Sequence, residues 1–499
     1  MLSPKEMQEL ERCVFEGGAE PEALMEEAGR LMAAAVSQFC PRPGTCLAFF
    51  GKGHNGGDAL VAARVLSEGG WSVFLVPAYP EEDWAPLTAR KWSQAGRCDT
   101  WSPGQLEKWR PASGTACVLL DGLLGIGAQG PLKGPVAEMC RRINHMRESS
   151  AATVFALDLP TGLDGATGQA DPHTVVADVT LTVGFAKSGL VADAATKFVG
   201  RIAVMPLEEL SAAAGSRDSL ECATPRSLSP LWRRRPTEAH KGDCGRVVLV
   251  AGAVGTVGAA ALAAKGALRA GAGLVTLFVR AEIYAQTAAL APIECMIRPF
   301  AEVAEVLALP ADALGIGPGL GRRHPDAIVE LIRSFRGPAV LDADALNILA
   351  EGRLGVLEEC AGSRLLTPHP GEMARLDPEG ESMGRGARVR HFTERWPVTL
   401  LLKGARTVVG TEGRGLTFNT TGNPGMASGG MGDVLTGVCA ALLAQGLPCH
   451  EAGALGAWLC GRAAEAVVCS GRRSEESLMA SDVADALGDA FLALRQRGF

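Results

Sequence analysis

Short apolar runs separated by helix-compatible stretches recur along the chain. Cys46–Phe50 is one such run; it ends in the glycine-rich segment Gly51–Asp58 (GKGHNGGD) and is followed by a helical stretch, Ala59–Glu68. Ser72–Pro77, Ala116–Leu120, Thr153–Leu159 and Val179–Val183 read as further strands. Apolar runs of this kind are buried on both faces, so the pattern predicts a parallel sheet covered by helices. Right-handed crossovers then give a Rossmann-like three-layer domain.

A polar, serine-containing segment, Ser211–Pro230, interrupts the pattern and is the candidate linker. After it the pattern restarts, with strands at Arg246–Ala251, Leu274–Val279, Pro338–Leu341, Arg364–Thr367 and Thr399–Leu402 and a helix at Ala259–Ala270. Arg406–Val409 and Gly415–Asn419 flank Gly410–Gly413 as a hairpin, and a long helical stretch begins near Gly432. No short internal repeat is present and the halves share no motif, which indicates a fusion of two α/β domains, 1–212 and 225–499.

Length and composition agree with this division. A chain of 499 residues, 47% hydrophobic and 21% charged, exceeds one ordinary core. The net charge of −7 argues against nucleic-acid binding, which needs a basic face; the short run Arg233–Arg235 reads as a solvated turn. Fourteen cysteines without a CxxC pair indicate neither zinc nor a disulfide scaffold and suit a reducing cytoplasm. The N-terminus is charged throughout, unlike a signal peptide or anchor, and no apolar run is long enough to span a bilayer.

The chemistry lies in loops that follow strands. Gly51–Asp58 lets the backbone approach a ligand and presents helix N–H groups to phosphate, although a tight turn capped by Asp58 would also explain it. Asp121–Gly127 (DGLLGIG) and Asp158–Gly165 (DLPTGLDG) also follow strands, and in a parallel sheet such loops meet in one crevice. Asn55, Asp121 and Thr161 offer oxygens suited to a hard monovalent cation, and Asp158 is a candidate acid/base.

MEEAG at Met25, the three loops, and GFAKSGL from Gly184 together resemble the YjeF N-terminal family, the NAD(P)H-hydrate epimerases, over about residues 1–210. The resemblance implies that Asn55, Asp121 and Thr161 hold potassium. It implies that His54, Asn55, Gly56, Gly57, Asp58, Gly125, Ile126, Gly127, Ala128, Gln129, Gly130, Pro131 and Asp158 contact the hydrated cofactor. Ala59 stands where the family has glycine, HNGGD replaces NNGGD, and Thr161 replaces serine while keeping the hydroxyl. Lys187 either faces the site or is a surface lysine.

In the second half, Asn419–Leu435 (NTTGNPGMASGGMGDVL) places Gly429, Gly430 and Gly432 before an apolar helix. N–H groups at such a helix start form an anion hole for a transferring phosphoryl group, and Asp433 at its lip can accept a proton from an attacking hydroxyl. The segment resembles the GxGD signature of the ribokinase-like superfamily. HKGDCG from His240, GPGLG from Gly317, DADALN from Asp342, TPHPGE from Thr367 and LLKGART from Leu401 are similar to its ADP-dependent NAD(P)H-hydrate dehydratase branch. That resemblance covers about residues 225–495 and implies a ribokinase-like α/β domain. It implies that Gly319 and His369 contact the nicotinamide hydrate, that Lys403, Gly404, Ala405, Arg406, Thr407 and Gly432 contact the adenine nucleotide, and that Asp433 is the catalytic base. Met431 departs from the usual threonine but keeps the N–H. His369 also reads as a turn histidine, Lys241 as a phosphate ligand or a strand cap, and Asp342, Asp344 and Asn347 as ligand- or magnesium-ordering or as a structural turn.

The expectation is a bifunctional enzyme that epimerises the hydrates NADHX and NADPHX and dehydrates one epimer with ADP and Mg2+, giving AMP and phosphate. It would be cytoplasmic, with no nucleic-acid or membrane partner and with room for homo-oligomerisation. A small-molecule kinase of the same superfamily is the rival enzyme. A non-catalytic nucleotide sensor is the rival of another class, opposed by retention of Asp433 and Asp158.

Overall fold

The computed structural model describes all residues except 97, 103–104, 107–108, 110–113, 129, 151, 215–220, 233 and 497. The chain divides into two compact units, Met1–Asp218 and Ser219–Gly498, with the terminal Phe499 grouped with the first.

The sheet of the first unit is built from β1 (Thr45–Phe50), β2 (Ser72–Pro77), β3 (Asp99–Thr100), β4 (Cys117–Gly122), β5 (Thr153–Leu157), β6 (Val179–Val183) and β7 (Arg201–Met205). All pairs are parallel, in the order β3-β2-β1-β4-β5-β6-β7. The central β1 is fully buried from Cys46 to Phe50, as expected of a strand covered on both faces. Strand order reverses between β1 and β4, so the loops leaving these two strands open a crevice at the carboxyl edge of the sheet. Helices α1 (Pro4–Glu16), α2 (Pro21–Phe39) and α3 (His54–Glu68) belong to this unit.

Two of the differences from the sequence reading shape the crevice. Helix α3 starts at His54, not Ala59, so Asn55, Gly56, Gly57 and Asp58 form its first turn. A Cβ on Gly56 would lie 2.1 Å from the Gly51 carbonyl oxygen, and one on Gly57 would lie 2.5 Å from Met25 Sδ. The paired glycines therefore let the helix begin directly over the strand end and against α2. Strand β5 stops at Leu157 because Asp158 takes a left-handed φ of 69°, unusual for a residue with a side chain.

The second unit carries β8 (Glu221–Ala223), β9 (Arg246–Val250), β10 (Leu274–Arg280), β11 (Met296–Phe300), β12 (Ala313–Ile316), β13 (Ala339–Leu341), β14 (Arg364–Leu366), β15 (Thr399–Leu402), β16 (Val408–Thr411) and β17 (Thr417–Asn419). Their order is β11-β10-β9-β12-β13-β14-β15-β16-β17-β8. The sheet is parallel from β11 to β15; β16 and β17 run antiparallel as a hairpin, and β8 pairs parallel to β17. Strand order reverses here between β9 and β12.

The helix Met431–Ala444 packs on this sheet and against the helix Val257–Arg269. A Cβ on Gly437 would lie 2.0 Å from the Ala263 carbonyl oxygen, and one on Gly266 would lie 2.5 Å from that of Val434, so glycines allow the close crossing. The helix Cys449–Cys469 is long and apolar enough to cross a membrane by length and composition, but 83% of that stretch is buried inside the unit, where Trp458 anchors the core.

The segment Ser211–Pro230 carries regular structure at both ends. Ser211–Ala214 complete a helix, Glu208–Ala214, whose Leu210 is buried against α1; Glu221–Ala223 are β8, and Thr224 caps the turn Pro225–Leu228. Edge strands of three residues with one buried side chain leave no readable hydrophobic pattern. The remainder of the segment, 215–220, and Arg233 lie outside the described residues.

Candidate active sites

In the first unit, the crevice between β1 and β4 gathers Asn55, Asp121 and Thr161. Asp121, the penultimate residue of β4, is fully buried; its Oδ1 accepts from Thr161 Oγ1 (2.7 Å) and Leu123 N (3.3 Å), and its Oδ2 from Thr161 N (2.8 Å). Thr161 Oγ1 in turn accepts from Leu124 N (3.1 Å). Asn55 Nδ2 donates to the Leu124 carbonyl (2.9 Å), while its Oδ1 is buried with no hydrogen-bond partner. A buried acceptor without a donor is costly, and a bound cation would remove the cost. Burial pushes the Asp121 carboxyl up to about 6 against the hydrogen bonds from Thr161 and Leu123, the situation of a carboxylate lacking a counter-charge.

Beside this cluster, Lys187 Nζ donates to Asp158 Oδ1, to Thr182 Oγ1 (3.2 Å) and to the Val183 carbonyl (3.0 Å). Val183 N also donates to Asp158 Oδ1 (3.1 Å). Lys187 is therefore no surface lysine: it is 1% exposed, and its ammonium is aimed at the candidate acid/base. Asp58, in the first turn of α3, makes no hydrogen bond through its carboxyl to any described residue. Burial holds its carboxyl well above the usual range, and Asp158 and Glu11 add to the shift while Lys187 opposes it. Glu11 of α1 is raised by burial too, lowered by Lys187 and raised by Asp158. Nothing in the local sequence around Glu11 marks it; only the fold of α1 onto the crevice brings it there.

The other described residues expected at this site come from the segments that follow β1 and β4. Gly125 lies against Asn55, where a Cβ would approach the side chain to 3.4 Å. Ile126 is half-buried, and Gly127, Ala128, Gly130, Pro131 and His54 are exposed. Gln129 lies outside the described residues.

In the second unit, the helix Met431–Ala444 starts after Gly430, whose φ of 91° only glycine adopts freely, and Asp433 stands in its first turn. Asp342, at the end of β13, is buried. Its Oδ1 accepts from Lys403 Nζ (2.7 Å) and its Oδ2 from Thr436 Oγ1 (2.9 Å) of the same helix. Lys403 Nζ also lies 3.9 Å from Glu372, itself 5% exposed. Burial works against the Lys403 ammonium, but Asp342, Glu372 and Asp433 outweigh it and hold its pKa above the usual value. Burial, helped by Asp342 and opposed by Lys403, pushes Asp433 up to about 6. A carboxyl so placed is ionised at neutral pH yet basic enough to accept a proton.

Asp342 thus joins a buried ion pair, and neither a free metal ligand nor a bare turn describes it. Asp344 Oδ2 accepts from Gly321 N (2.8 Å), and its other oxygen takes the Asn347 amide (3.3 Å), which ties the GPGLG loop to the helix after β13. Gly319 has φ 55° and accepts a hydrogen bond from Thr256 Oγ1 (2.7 Å). His369 caps the helix Pro370–Leu376: its Nδ1 accepts from Gly371 N (3.0 Å) and Glu372 N (3.3 Å), and its ring is half exposed. In Lys403–Thr407, the Lys403 side chain turns to Asp342, whereas Gly404 and Ala405 are exposed and Arg406 and Thr407 are buried. Arg385 donates to the carbonyls of Leu402, Lys403 and Arg406 and so fixes the loop; the sequence reading missed this arginine, which no motif flags. Gly432 adjoins the pair, and a Cβ there would lie 3.2 Å from Lys403 Nζ. His240 and Lys241 are exposed, and His240 Nδ1 accepts from Asp243 N (3.3 Å) within its own turn. Among the described residues, no three His, Cys, Asp or Glu side chains are grouped to hold a metal ion.

Comparison with known proteins follows the same division. A family model described as YjeF-related protein N-terminus matches residues 21–189, and one described as NAD(P)H-hydrate dehydratase matches 247–484. The bifunctional NAD(P)H-hydrate repair enzyme Nnr of Moorella thermoacetica is 35% identical over 517 residues, covering 98% of this chain and 96% of that one. Its namesake from Escherichia coli is 35% identical over 476 residues, covering 92% of this chain and 87% of that one. Among solved structures, an ADP/ATP-dependent NAD(P)H-hydrate dehydratase from Bacillus subtilis, co-crystallised with ATP/Mg2+, is 26% identical, covers 55% of this chain and 98% of that one, and has a TM-score of 0.49.

Proposed function

Because the chain belongs to the family of bifunctional NAD(P)H-hydrate repair enzymes, we propose that its first unit epimerises hydrated NADH and NADPH at C6 of the nicotinamide ring and its second unit dehydrates the S epimer with ADP. The observation that carries this reading is that each crevice pairs a buried carboxylate with an ammonium, Asp158 with Lys187 and Asp342 with Lys403, the latter beside Asp433.

In the epimerase, C6 carries a hydroxyl and the ring nitrogen N1. Asp158 takes the hydroxyl proton as the C6–N1 bond opens to an aldehyde, and Lys187 gives a proton to N1. Closure on the opposite face returns both protons and inverts C6. Asn55 Oδ1, Asp121 and Thr161 would hold potassium, and the orphaned Asn55 oxygen fits that ion. Bound there, potassium would supply a fixed positive charge beside the loops that leave β1 and β4.

In the dehydratase, Asp433 takes the proton of the C6 hydroxyl, whose oxygen attacks the β-phosphorus of ADP as the bridging P–O bond breaks and AMP leaves. Loss of phosphate from C6 and of a proton from C5 restores the ring double bond. Lys403, held by Asp342, and the N–H groups at Gly430–Gly432 neutralise the charge that builds on the phosphoryl oxygens. Magnesium would accompany the nucleotide phosphates, with Asp433 the nearby carboxylate, and would screen phosphate charge. The rival of a small-molecule kinase shares the glycine turn but would leave a stable phosphorylated product. Recovery of NADH absorbance from its hydrate with ADP, and AMP and phosphate formed in equal amount, tests the reading; a lasting phosphorylated product with no NADH would refute it.

A further inference from the structure

Helix α1 lies ahead of the stretch matched by the epimerase family model, which begins at residue 21. The structure nevertheless builds it into the crevice wall. Leu2 pairs in parallel with Lys187: Leu2 N donates to the Ala186 carbonyl (3.0 Å) and Ser188 N to that of Leu2 (2.9 Å). Met7 fills the space over Gly184, where a Cβ would lie 3.1 Å from its Cε. Ile126 of the crevice loop and Val183 and Phe185 beside Lys187 pack against the cluster of Leu2, Met7, Leu10 and Val14. A Cβ on Gly127 would lie 3.9 Å from Gln8 Nε2. Helix α1 thus spans the site from the lysine turn to the substrate loop. Glu11, one turn beyond Met7 and Gln8, comes from this same face.

Four titratable groups from four elements then belong to this face: Glu11 of α1, Asp58 of α3, Asp158 after β5 and Lys187 after β6. Asp158 pairs with Lys187, and Glu11 and Asp58 lie within electrostatic reach of that pair. The pair that moves protons works against a background charge set by the other two.

We propose that Glu11 is a positioning residue of the epimerase site, which holds the charge balance around the Asp158–Lys187 pair and so sets the pH range of epimerisation. The proposal rests on the epimerase reading of this crevice and extends that site to α1. It gives Glu11 a charge to supply, whereas a merely structural role would need only its shape.

The test follows epimerisation of the R hydrate of NADH by the full chain between about pH 5.5 and 9, with ADP-driven dehydration of the S hydrate as an internal control on the other unit. Glu11→Gln removes a negative charge that favours proton binding. It is expected to displace the pH–rate profile toward lower pH and to lower kcat about tenfold with little change in KM, while dehydration is unaltered. Glu11→Asp is expected to restore the parent's profile. A Glu11→Gln enzyme with the parent's profile and kcat would overturn the proposal. Should Glu11→Gln fail to fold, Glu11→Asp decides alone: the parent's profile supports the proposal and a displaced one overturns it. A parent chain that does not epimerise at all would instead overturn the underlying reading, and the proposal with it.

Discussion

Lys403 donates a 2.7 Å hydrogen bond to Asp342 Oδ1, and Thr436, from the helix that carries Asp433, donates to the other oxygen of the same carboxylate. One side chain thereby fixes the ends of two strands and the start of the helix that carries Asp433 relative to each other. Removing it leaves the ammonium without its nearest partner. Loss of one member of a buried ion pair costs about 3–5 kcal/mol. Asp342→Ala is expected to lower the stability of the second unit by about that amount in denaturant unfolding and to abolish dehydration. Epimerisation by the same protein is expected to persist. Unchanged dehydration would remove Asp342 and Lys403 from the account.

The potassium assignment has a pH signature. Burial holds Asp121 at about 6 against a usual 3.8, a difference worth about 3 kcal/mol. For a carboxyl raised in the folded state, the stability it contributes is full below its unfolded value and is lost as pH rises through about 6. A bound cation counters this loss because it favours the ionised form. Potassium is therefore expected to raise the unfolding temperature of the first unit above about pH 6 and to lose this effect as pH falls toward 4. Asp121→Ala is expected to remove the potassium effect together with epimerisation. A potassium effect that is pH-independent, or that survives in Asp121→Ala, would contradict the site.

Asp433 makes a parallel demand on the other activity. A base must be ionised to act, and Asp433 sits at about 6. The dehydration rate at saturating ADP is expected to be level above neutrality and to fall about tenfold per pH unit once the medium is well below 6. An acid limb centred near the ordinary aspartate value of 3.8 would show that burial beside Asp342 does not tune this group.

What was legible in the sequence, and what was not, follows physical lines. Mainly apolar strands such as Cys46–Phe50 and Leu274–Val279 announced both sheets, because burial on two faces leaves a largely hydrophobic run. The strands that escaped notice were Asp99–Thr100, Arg201–Met205, Glu221–Ala223, Met296–Phe300 and Ala313–Ile316. Three of them, β3, β7 and β11, lie at or near a sheet end where polar residues are tolerated, and β8 and β12 are only three and four residues long. The glycine loops were visible because they demand special backbone conformations, and Gly430 meets that demand at φ 91°. Partnerships across the fold were not visible. No spacing relates Lys187 to Asp158, Lys403 to Asp342, or Glu11 to either crevice residue, since separate elements carry them and only the sheet order brings them together.

Under the proposed function, one chain carries two separable reactions that together repair both epimers. The most direct measurement supplies an equal mixture of R and S NADH hydrate with ADP, under conditions where spontaneous epimerisation is slow, and follows recovered NADH and the residual epimers. The parent is expected to recover the whole mixture, and Asp158→Ala only the S half. Asp433→Asn keeps the shape and the N–H cradle but cannot take the proton; it is expected to recover NADH about 10²–10⁴-fold more slowly while still interconverting the epimers. Recovery at the parent rate by Asp433→Asn, or recovery of the R half at the parent rate by Asp158→Ala, would contradict the account.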